Sequence, residues 1–137
     1  MTQRVLVVGL GNMGMSHAMA YTRIPGFEVV GVCERRIANR KMPEALKGAR
    51  TFSNFDEALA TLKPDVVSIN TLPDTHADFA IKAMEAGAHV FVEKPLALSL
   101  PQLDEVAQAY DASIAAGRSP IVMVGFNRRF ASQVQKM

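Results

Sequence analysis

The segment RVLVVGLGNMGMSHAMAYTRIPGFEVVGVCERR, residues 4–36, places a glycine-rich turn between a short apolar run and an amphipathic segment. The run at residues 5–8 contains only valine and leucine, which is typical of a strand buried on both faces of a parallel sheet. The amphipathic segment Asn12–Arg23 ends just before Pro25-Gly26, and the next apolar run is Phe27–Cys33. This order predicts a strand, a turn, a helix and a second strand.

The glycines of the turn, Gly9, Gly11 and Gly14, have the spacing G-x-G-x-x-G, which is informative only between a buried strand and a helix. There the first glycine permits a tight turn, the second lets the backbone approach a pyrophosphate, and the third lets the helix pack closely on the strand. The free N–H groups at the helix start, around Asn12 and Met13, then face the phosphates. The turn predicts a dinucleotide site, and the alternative is a purely structural glycine turn.

An acidic residue stands at the end of the second strand, where a dinucleotide-binding fold holds the ribose hydroxyls. Glu34 lies 20 residues after Gly14, and its carboxylate favours NAD over NADP because it repels a 2′-phosphate. Arg35 and Arg36 follow and favour the opposite, since a guanidinium stacks on adenine or pairs with a phosphate. The sequence predicts NAD as the cofactor, with NADP as the alternative.

Short apolar runs alternate with amphipathic segments along the whole chain, which predicts βαβ units and a parallel sheet. Besides the first two, the predicted strands lie at residues 50–52, 66–69, 89–92 and 121–125. The further helical segments lie at residues 37–46, 55–62 with Asn54 as N-cap, 75–86 and 100–116. Right-handed crossovers then give an α/β doubly wound sheet, a Rossmann fold, with strand order 3-2-1-4-5-6.

Composition argues against several classes of protein. The 137 residues carry 15 basic and 13 acidic side chains, a balance that gives no reason to expect a nucleic-acid partner. Cys33 is the single cysteine, so an intrachain disulfide is excluded and no metal site is predicted. No apolar run approaches the roughly 20 residues of a membrane span. We expect a soluble, cytoplasmic protein without a membrane partner.

Two later segments place polar residues at the carboxyl ends of strands, where ligands bind in this fold. The first is NTLPDTH, residues 70–76. In it we expect Asp74 or Thr75 to cap the next helix and Thr71 to contact the cofactor. By itself, His76 is expected to be a partly exposed helix residue.

The second segment is HVFVEKP, residues 89–95, in which two charged residues end a buried strand. Because a buried charge is costly unless it is paired, Glu93 and Lys94 are unexpected as structural residues. Lys94, at the mouth of the crevice, is placed to bond a substrate hydroxyl or carbonyl and to act as a general acid or base. The alternative is a solvated surface lysine, with Glu93 capping neighbouring amides.

Five features in order resemble the Gfo/Idh/MocA family of glucose–fructose oxidoreductases and inositol dehydrogenases, and together they span nearly the whole chain. They are Gly9-x-Gly11-x-x-Gly14, the acid Glu34, Thr71-x-Pro73-x-x-His76, AGAHVFVEKP at residues 86–95, and GFNRRF at residues 125–130. The resemblance implies an NAD(P)-dependent oxidoreductase that acts on a carbinol carbon of a sugar, cyclitol or related polyol.

The resemblance also implies roles for single residues. Lys94 matches the lysine that contacts substrate and helps proton transfer, and Glu93 matches the acid that helps set the geometry of the nicotinamide. The positions that match the loop beside the cofactor are Thr71, Pro73 and His76. The positions that match the neighbourhood of the nicotinamide and the substrate are Asn127 and Arg128.

The length departs from the family pattern. The sequence predicts a Rossmann domain over residues 1–126 and, at residues 127–137, the start of a connection to a substrate domain that is absent here. In relatives that domain supplies the partners of the lysine and usually the surface for homo-oligomers. His17 and His89 do not match those partners and are expected to be structural.

Two alternatives to a dehydrogenase stay open. One is an NAD-dependent glycosidase of the same family, which oxidises its substrate only transiently. The other is a non-catalytic dinucleotide-binding module. The chain alone is expected to be inactive as an enzyme, because half of the substrate pocket is missing.

Overall fold

The computed structural model describes residues 1–136, apart from the side chain at position 129. Six strands form one sheet in the order β3-β2-β1-β4-β5-β6, and every neighbouring pair is parallel. The strands are β1 (Gln3–Val8), β2 (Phe27–Cys33), β3 (Arg50–Phe52), β4 (Val66–Ile69), β5 (His89–Val92) and β6 (Val122–Val124). The α/β doubly wound fold and its strand order are therefore confirmed.

Helices pack on both faces of this sheet. They are α1 (Asn12–Arg23), α2 (Phe55–Leu62), α3 (Pro73–Glu85), α4 (Leu100–Ala115) and a short α5 (Ser132–Gln135). Because successive side chains of a strand point to opposite faces, Val5 and Val7 pack on the side of α1, whereas Leu6 and Val8 pack on the side of α2, α3 and α4. All four are buried, as the continuous apolar run predicts.

Most element bounds agree with the prediction, and two differences have local causes. β6 is one residue shorter than predicted at each end; at its start the N–H of Ile121 donates to Nδ1 of His89 at 2.9 Å, although its carbonyl oxygen still accepts the N–H of Val90 on β5. α3 begins at Pro73, since a proline at the first helical position loses no hydrogen bond. Leu72 is its N-cap, so the predicted cap at Asp74 or Thr75 is wrong.

The predicted helix over residues 37–46 is also wrong. Two single 3₁₀ turns, Ile37–Asn39 and Glu44–Leu46, stand there instead. Pro43 explains the break, because it lacks an N–H and disfavours helical conformation in the residue before it. Leu46 is nonetheless buried against the α1 side of the sheet. The apolar pattern thus predicted burial correctly but not the helix.

After β6 the chain makes a 3₁₀ turn, Asn127–Phe130, followed by α5. The division at residue 126 stays a prediction, and Met137, at the end of the predicted segment 127–137, lies outside the described residues. Within residues 1–136, no helix combines the length and the apolar character that a membrane crossing requires.

Candidate functional site

The turn after β1 is built so that two of its positions accept only glycine. Gly9 has a φ of +84°, in the left-handed region that other residues avoid. A Cβ on Gly9 would also lie 2.5 Å from the carbonyl oxygen of Asn70. A Cβ on Gly14 would overlap the carbonyl oxygen of Gly9. Helix α1 therefore packs on the turn at a distance that a side chain would prevent.

Gly11 behaves differently, because it leaves free space at the start of α1. It is the N-cap of the helix, and a Cβ there would meet no neighbouring atom within 4 Å among the described residues. Among residues 1–136, no side chain caps the start of α1, and its first turn contains no acidic residue. Its first N–H groups and the positive end of its dipole are thus available to an anion.

Glu34 is joined to the glycine turn through its side chain. Its Oε2 accepts the backbone N–H of Leu10 at 2.7 Å, and its own N–H donates to the carbonyl oxygen of Phe52 at 3.0 Å. The carboxylate is thereby held at the carboxyl end of β2. Among the described residues its other oxygen has no hydrogen bond, so it can accept one from a ribose hydroxyl.

Two clefts open at the carboxyl edge of the sheet, and Thr71 lines both of them. The first cleft has a volume of ≈ 390 Å³ and is lined by Gly9, Glu34, Arg35 and Arg36, among others. Both arginines are exposed. This cleft therefore contains the acid and the two guanidinium groups that the sequence assigns to the ribose end of a dinucleotide.

The second cleft, of ≈ 420 Å³, brings together the residues predicted near the nicotinamide and the substrate. Its lining consists of Met13, Asn70, Thr71, Pro73, His76, Glu93, Lys94, Asn127 and Arg128. All of them except Asn70 are among the site residues predicted from the sequence. Three predicted residues, Gly11, Asn12 and Gly14, line neither cleft, so a phosphate role for them rests on the backbone at the start of α1.

His76 is buried, with 1% of its surface exposed, so the expectation of a partly exposed residue is wrong. Its Nδ1 lies 2.7 Å from the carbonyl oxygen of Pro95 and its Nε2 lies 2.9 Å from that of Thr71. A neutral imidazole donates from one nitrogen only, whereas the doubly protonated ring donates to both. In either form the ring links the loop after β4 to the turn after β5, and so joins two walls of the second cleft.

Lys94 and Glu93 have separate surroundings although they are adjacent in sequence. Lys94 is exposed, and no hydrogen bond or ion pair within the described residues engages its Nζ. The Glu93 side chain is 14% exposed, and its Oε1 lies 2.7 Å from Nε2 of His17. The cleft thus presents a free lysine amino group beside a carboxylate that already has a partner.

Sequence reasoning missed Asn70 as a site residue. Its Nδ2 donates to Oγ of Ser68 at 3.1 Å, while its buried Oδ1 has no partner within residues 1–136. Buried polar atoms are rarely left unpaired, so this oxygen fits a donor from a bound group. Asn70 stands at the end of β4, in the predicted site segment 70–76, and this position is the sequence signal that could have identified it.

The donors at α1, the acceptors on Glu34 and Asn70, and the joined clefts fit a dinucleotide. The described residues contain no group of three histidine, cysteine or acidic side chains that could hold a metal ion.

Comparison with known proteins gives the same result. Residues 3–126 match the family GFO_IDH_MocA, described as an oxidoreductase family with an NAD-binding Rossmann fold. Inositol 2-dehydrogenase 3 of Saccharopolyspora erythraea is 33% identical over 138 aligned positions, which cover 100% of this chain and 40% of that protein. Glycosyl hydrolase family 109 protein 2 of Akkermansia muciniphila is 34% identical over 120, covering 80% of this chain and 25% of that protein.

Among solved structures, the WlbA dehydrogenase from Bordetella pertussis in complex with NADH and UDP-GlcNAcA superposes with a TM-score of 0.86 at 26% identity. The match covers 99% of this chain and 40% of that one. The chain spans about 40% or less of the length of these three proteins. It belongs to the Gfo/Idh/MocA oxidoreductase family and matches that family's NAD-binding Rossmann domain.

Proposed function

We propose that this chain forms the NAD-binding part of an oxidoreductase that transfers a hydride between the cofactor and a carbinol carbon of a sugar, cyclitol or related polyol. The second cleft is the observation that carries this proposal. In it a free lysine, Lys94, lies beside the partnered carboxylate of Glu93 and next to the loop of Thr71 and Pro73. The names of the dehydrogenase relatives support the same class of substrate.

The residues that hold NAD in this proposal come from three elements. The N–H groups at the start of α1 bind the pyrophosphate, and Glu34 accepts the ribose hydroxyls. The loop after β4 contributes Thr71, Pro73 and the orphan oxygen of Asn70, and Asn127 lies across the second cleft. His76 holds that loop against the turn after β5 and keeps the cleft in shape.

NAD, when bound, supplies the acceptor for the hydride that leaves the carbinol carbon. Lys94, as the neutral amine, accepts the hydroxyl proton as the C–O bond becomes a carbonyl and so becomes an ammonium group, which returns that proton in the reverse direction. Arg128, also in this cleft, donates hydrogen bonds to substrate oxygens. Water is less well excluded than in a closed pocket, because Lys94 and Arg128 are both exposed.

Replacing Lys94 tests this function. In the longest natural protein that carries this sequence, Lys94→Met should lower polyol-dependent NADH formation by about 100-fold or more, the usual range for a lost general acid or base. NAD⁺ affinity should change little, because Lys94 is assigned to the substrate. Lys41→Met, at an exposed lysine outside both clefts, is the control. Unchanged turnover in Lys94→Met would show that the lysine has no catalytic role.

Cofactor choice tests the ribose end separately. Glu34→Ala should raise the affinity for NADP⁺ relative to NAD⁺ by about tenfold, the factor for 1.4 kcal/mol, because Arg35 and Arg36 remain to pair with a phosphate. Glu34→Asp, which keeps the charge, should retain the preference for NAD⁺. If the ratio of NADP⁺ affinity to NAD⁺ affinity is the same in Glu34→Ala and in the unsubstituted chain, Glu34 does not bind the ribose.

A second candidate is an NAD-dependent glycosidase, favoured by the glycosyl hydrolase relative above. Release of sugar from a glycoside without net formation of NADH would support it, whereas net NADH formation from a polyol supports the dehydrogenase. A non-catalytic dinucleotide-binding module would bind NAD⁺ and show neither activity.

Further parts of the proposal concern the whole protein. Residues 127–137 begin a connection to a substrate domain, which completes the pocket and supports a homo-oligomer. The buried free thiol of Cys33 is in keeping with a reducing, cytoplasmic location. NADP is the alternative cofactor, supported by Arg35 and Arg36 in the first cleft.

A further inference from the structure

We infer that His17 is a positioning residue: it fixes the Glu93 carboxylate and thereby sets how tightly the nicotinamide half of NAD is bound. The inference rests on the proposed NAD site and adds to it a residue that does not line the cleft. His17 belongs to α1 and Glu93 follows β5, 76 residues later. Their contact therefore joins two elements that meet only through the fold.

The contact between the two side chains is short and partly shielded. Nε2 of His17 donates to Oε1 of Glu93 at 2.7 Å, which is the length of a hydrogen bond to a charged acceptor. The two side chains are 25% and 14% exposed, so water competes less than at an open surface pair. The ring of Phe91 lies 4.9 Å from that of His17, tilted by 55°, and restricts the imidazole from its side.

Gly125 also lies against the Glu93 carboxylate. A Cβ at that position would lie 3.2 Å from Oε1 of Glu93 and 3.1 Å from the Phe91 ring. The absence of a side chain at Gly125 thus leaves a space that Glu93 fills. Oε2 of Glu93 has no hydrogen bond within the described residues, so this oxygen is the one that is free to act in the second cleft.

Helix α1 links this contact to the phosphate end of the site. His17 lies four residues after Met13, which lines the second cleft, and residues four apart share one face of a helix. The same helix begins at the glycine turn. One rigid element therefore carries both the pyrophosphate donors and the group that holds Glu93, which keeps the two ends of the site in register.

Two ligands separate this role from a general effect on the fold. ADP-ribose contains the adenosine, pyrophosphate and second ribose of NAD⁺ but lacks the nicotinamide. In calorimetric titrations of the chain, His17→Leu should weaken NAD⁺ binding by about tenfold, as expected for a lost hydrogen bond to a charged group, and leave ADP-ribose binding nearly unchanged. His17→Gln, whose amide can replace Nε2, should restore NAD⁺ binding. His17→Asn, whose amide is too short, should not.

A mutant cycle tests whether His17 acts through Glu93. In a Glu93→Ala background, His17→Leu should change NAD⁺ affinity no further. His89→Leu is the matched control, because it removes another histidine hydrogen bond, to the N–H of Ile121, at the opposite end of β5. His89→Leu should lower the stability of the chain without changing the ratio of its affinities for NAD⁺ and ADP-ribose.

Equal weakening of both ligands by His17→Leu, or no weakening of either, would overturn the inference and leave the NAD site intact. Additive effects in the cycle would also overturn it. If His17→Leu does not fold, the contrast between His17→Gln and His17→Asn decides, since equal NAD⁺ affinities would contradict the inference. If the unsubstituted chain binds neither ligand, the proposed function itself has failed, and the inference with it.

Discussion

Replacement of Gly14 by alanine should damage the fold, whereas replacement of Gly11 should damage only ligand binding. At Gly14 the new Cβ would overlap the carbonyl oxygen of Gly9 and lie 2.7 Å from its carbonyl carbon. That is about 1 Å closer than the 3.5–4.0 Å at which carbon atoms pack. Both clashing atoms belong to the backbone, so α1 must move away from the end of β1.

The size of the effect follows from two opposing terms. Forcing a methyl group into a packed site costs about 1–3 kcal/mol, and a backbone neighbour places Gly14→Ala at the upper end. Better helix propensity returns up to about 1 kcal/mol. We expect a net loss of about 2 kcal/mol, which lowers the melting temperature by roughly 8 °C in a domain of this size. Gly11→Ala, with free space around its Cβ, should cost less than about 1 kcal/mol.

Urea unfolding followed by circular dichroism measures the stabilities, and NAD⁺ titration of the folded variants measures binding. Gly11→Ala should remain folded and bind NAD⁺ more weakly, because its methyl group occupies the space that the phosphates need. Equal free energies of unfolding for the two variants would refute the packing argument. Full NAD⁺ affinity in Gly11→Ala would refute the position assigned to the pyrophosphate.

Three further predictions concern parts of the fold next to the site. Burial raises the pKa of the Cys33 thiol to about 11, with smaller contributions from the neighbouring carboxylates of Glu34 and Glu57. A thiol reagent at pH 8 should therefore react slowly with Cys33 in the native chain and rapidly in urea. Because the folded pKa is the higher one, the thiol's contribution to stability should disappear as pH rises from about 8.5 to 11, and Cys33→Ala should lack that component of the decline. As the N-cap of α2, Asn54 accepts a hydrogen bond from the N–H of Glu57 at 2.9 Å. Asn54→Ala should lower the free energy of unfolding in urea by about 1 kcal/mol, whereas Asn54→Asp should lower it little. Equal losses of stability in the two variants would contradict the role of Asn54 as a cap.

The centre of the sheet was predictable from the sequence, because β1 and β4 are mainly apolar runs that are largely buried. The glycine turn was equally clear, since its spacing, its preceding strand and Glu34 agree. The error over residues 37–46 arose where Pro43 interrupts an amphipathic pattern that still contributes the buried Leu46. Pro43 is itself the sequence signal for the break. The start of α3 at Pro73 follows from the same chemistry.

Contacts between distant residues were not predictable. The burial of His76 depends on carbonyl oxygens 5 and 19 residues away, and the pairing of His17 with Glu93 spans 76 residues. Neither has a local sequence signal. The unpaired side-chain oxygen of Asn70 likewise has no local sequence signal. Motifs indicated which segments form the site, and only the packed fold shows which side chains meet in it.

Titration of the chain with NAD⁺, followed by the backbone amide resonances, tests the central claim most directly. The account predicts saturable binding with the largest shifts at the glycine turn, residues 9–14, at Glu34 and at the loop around Thr71. Absence of saturable binding at millimolar NAD⁺ would contradict it. Saturable shifts confined to another surface, such as the outer face of α4, would contradict it as well.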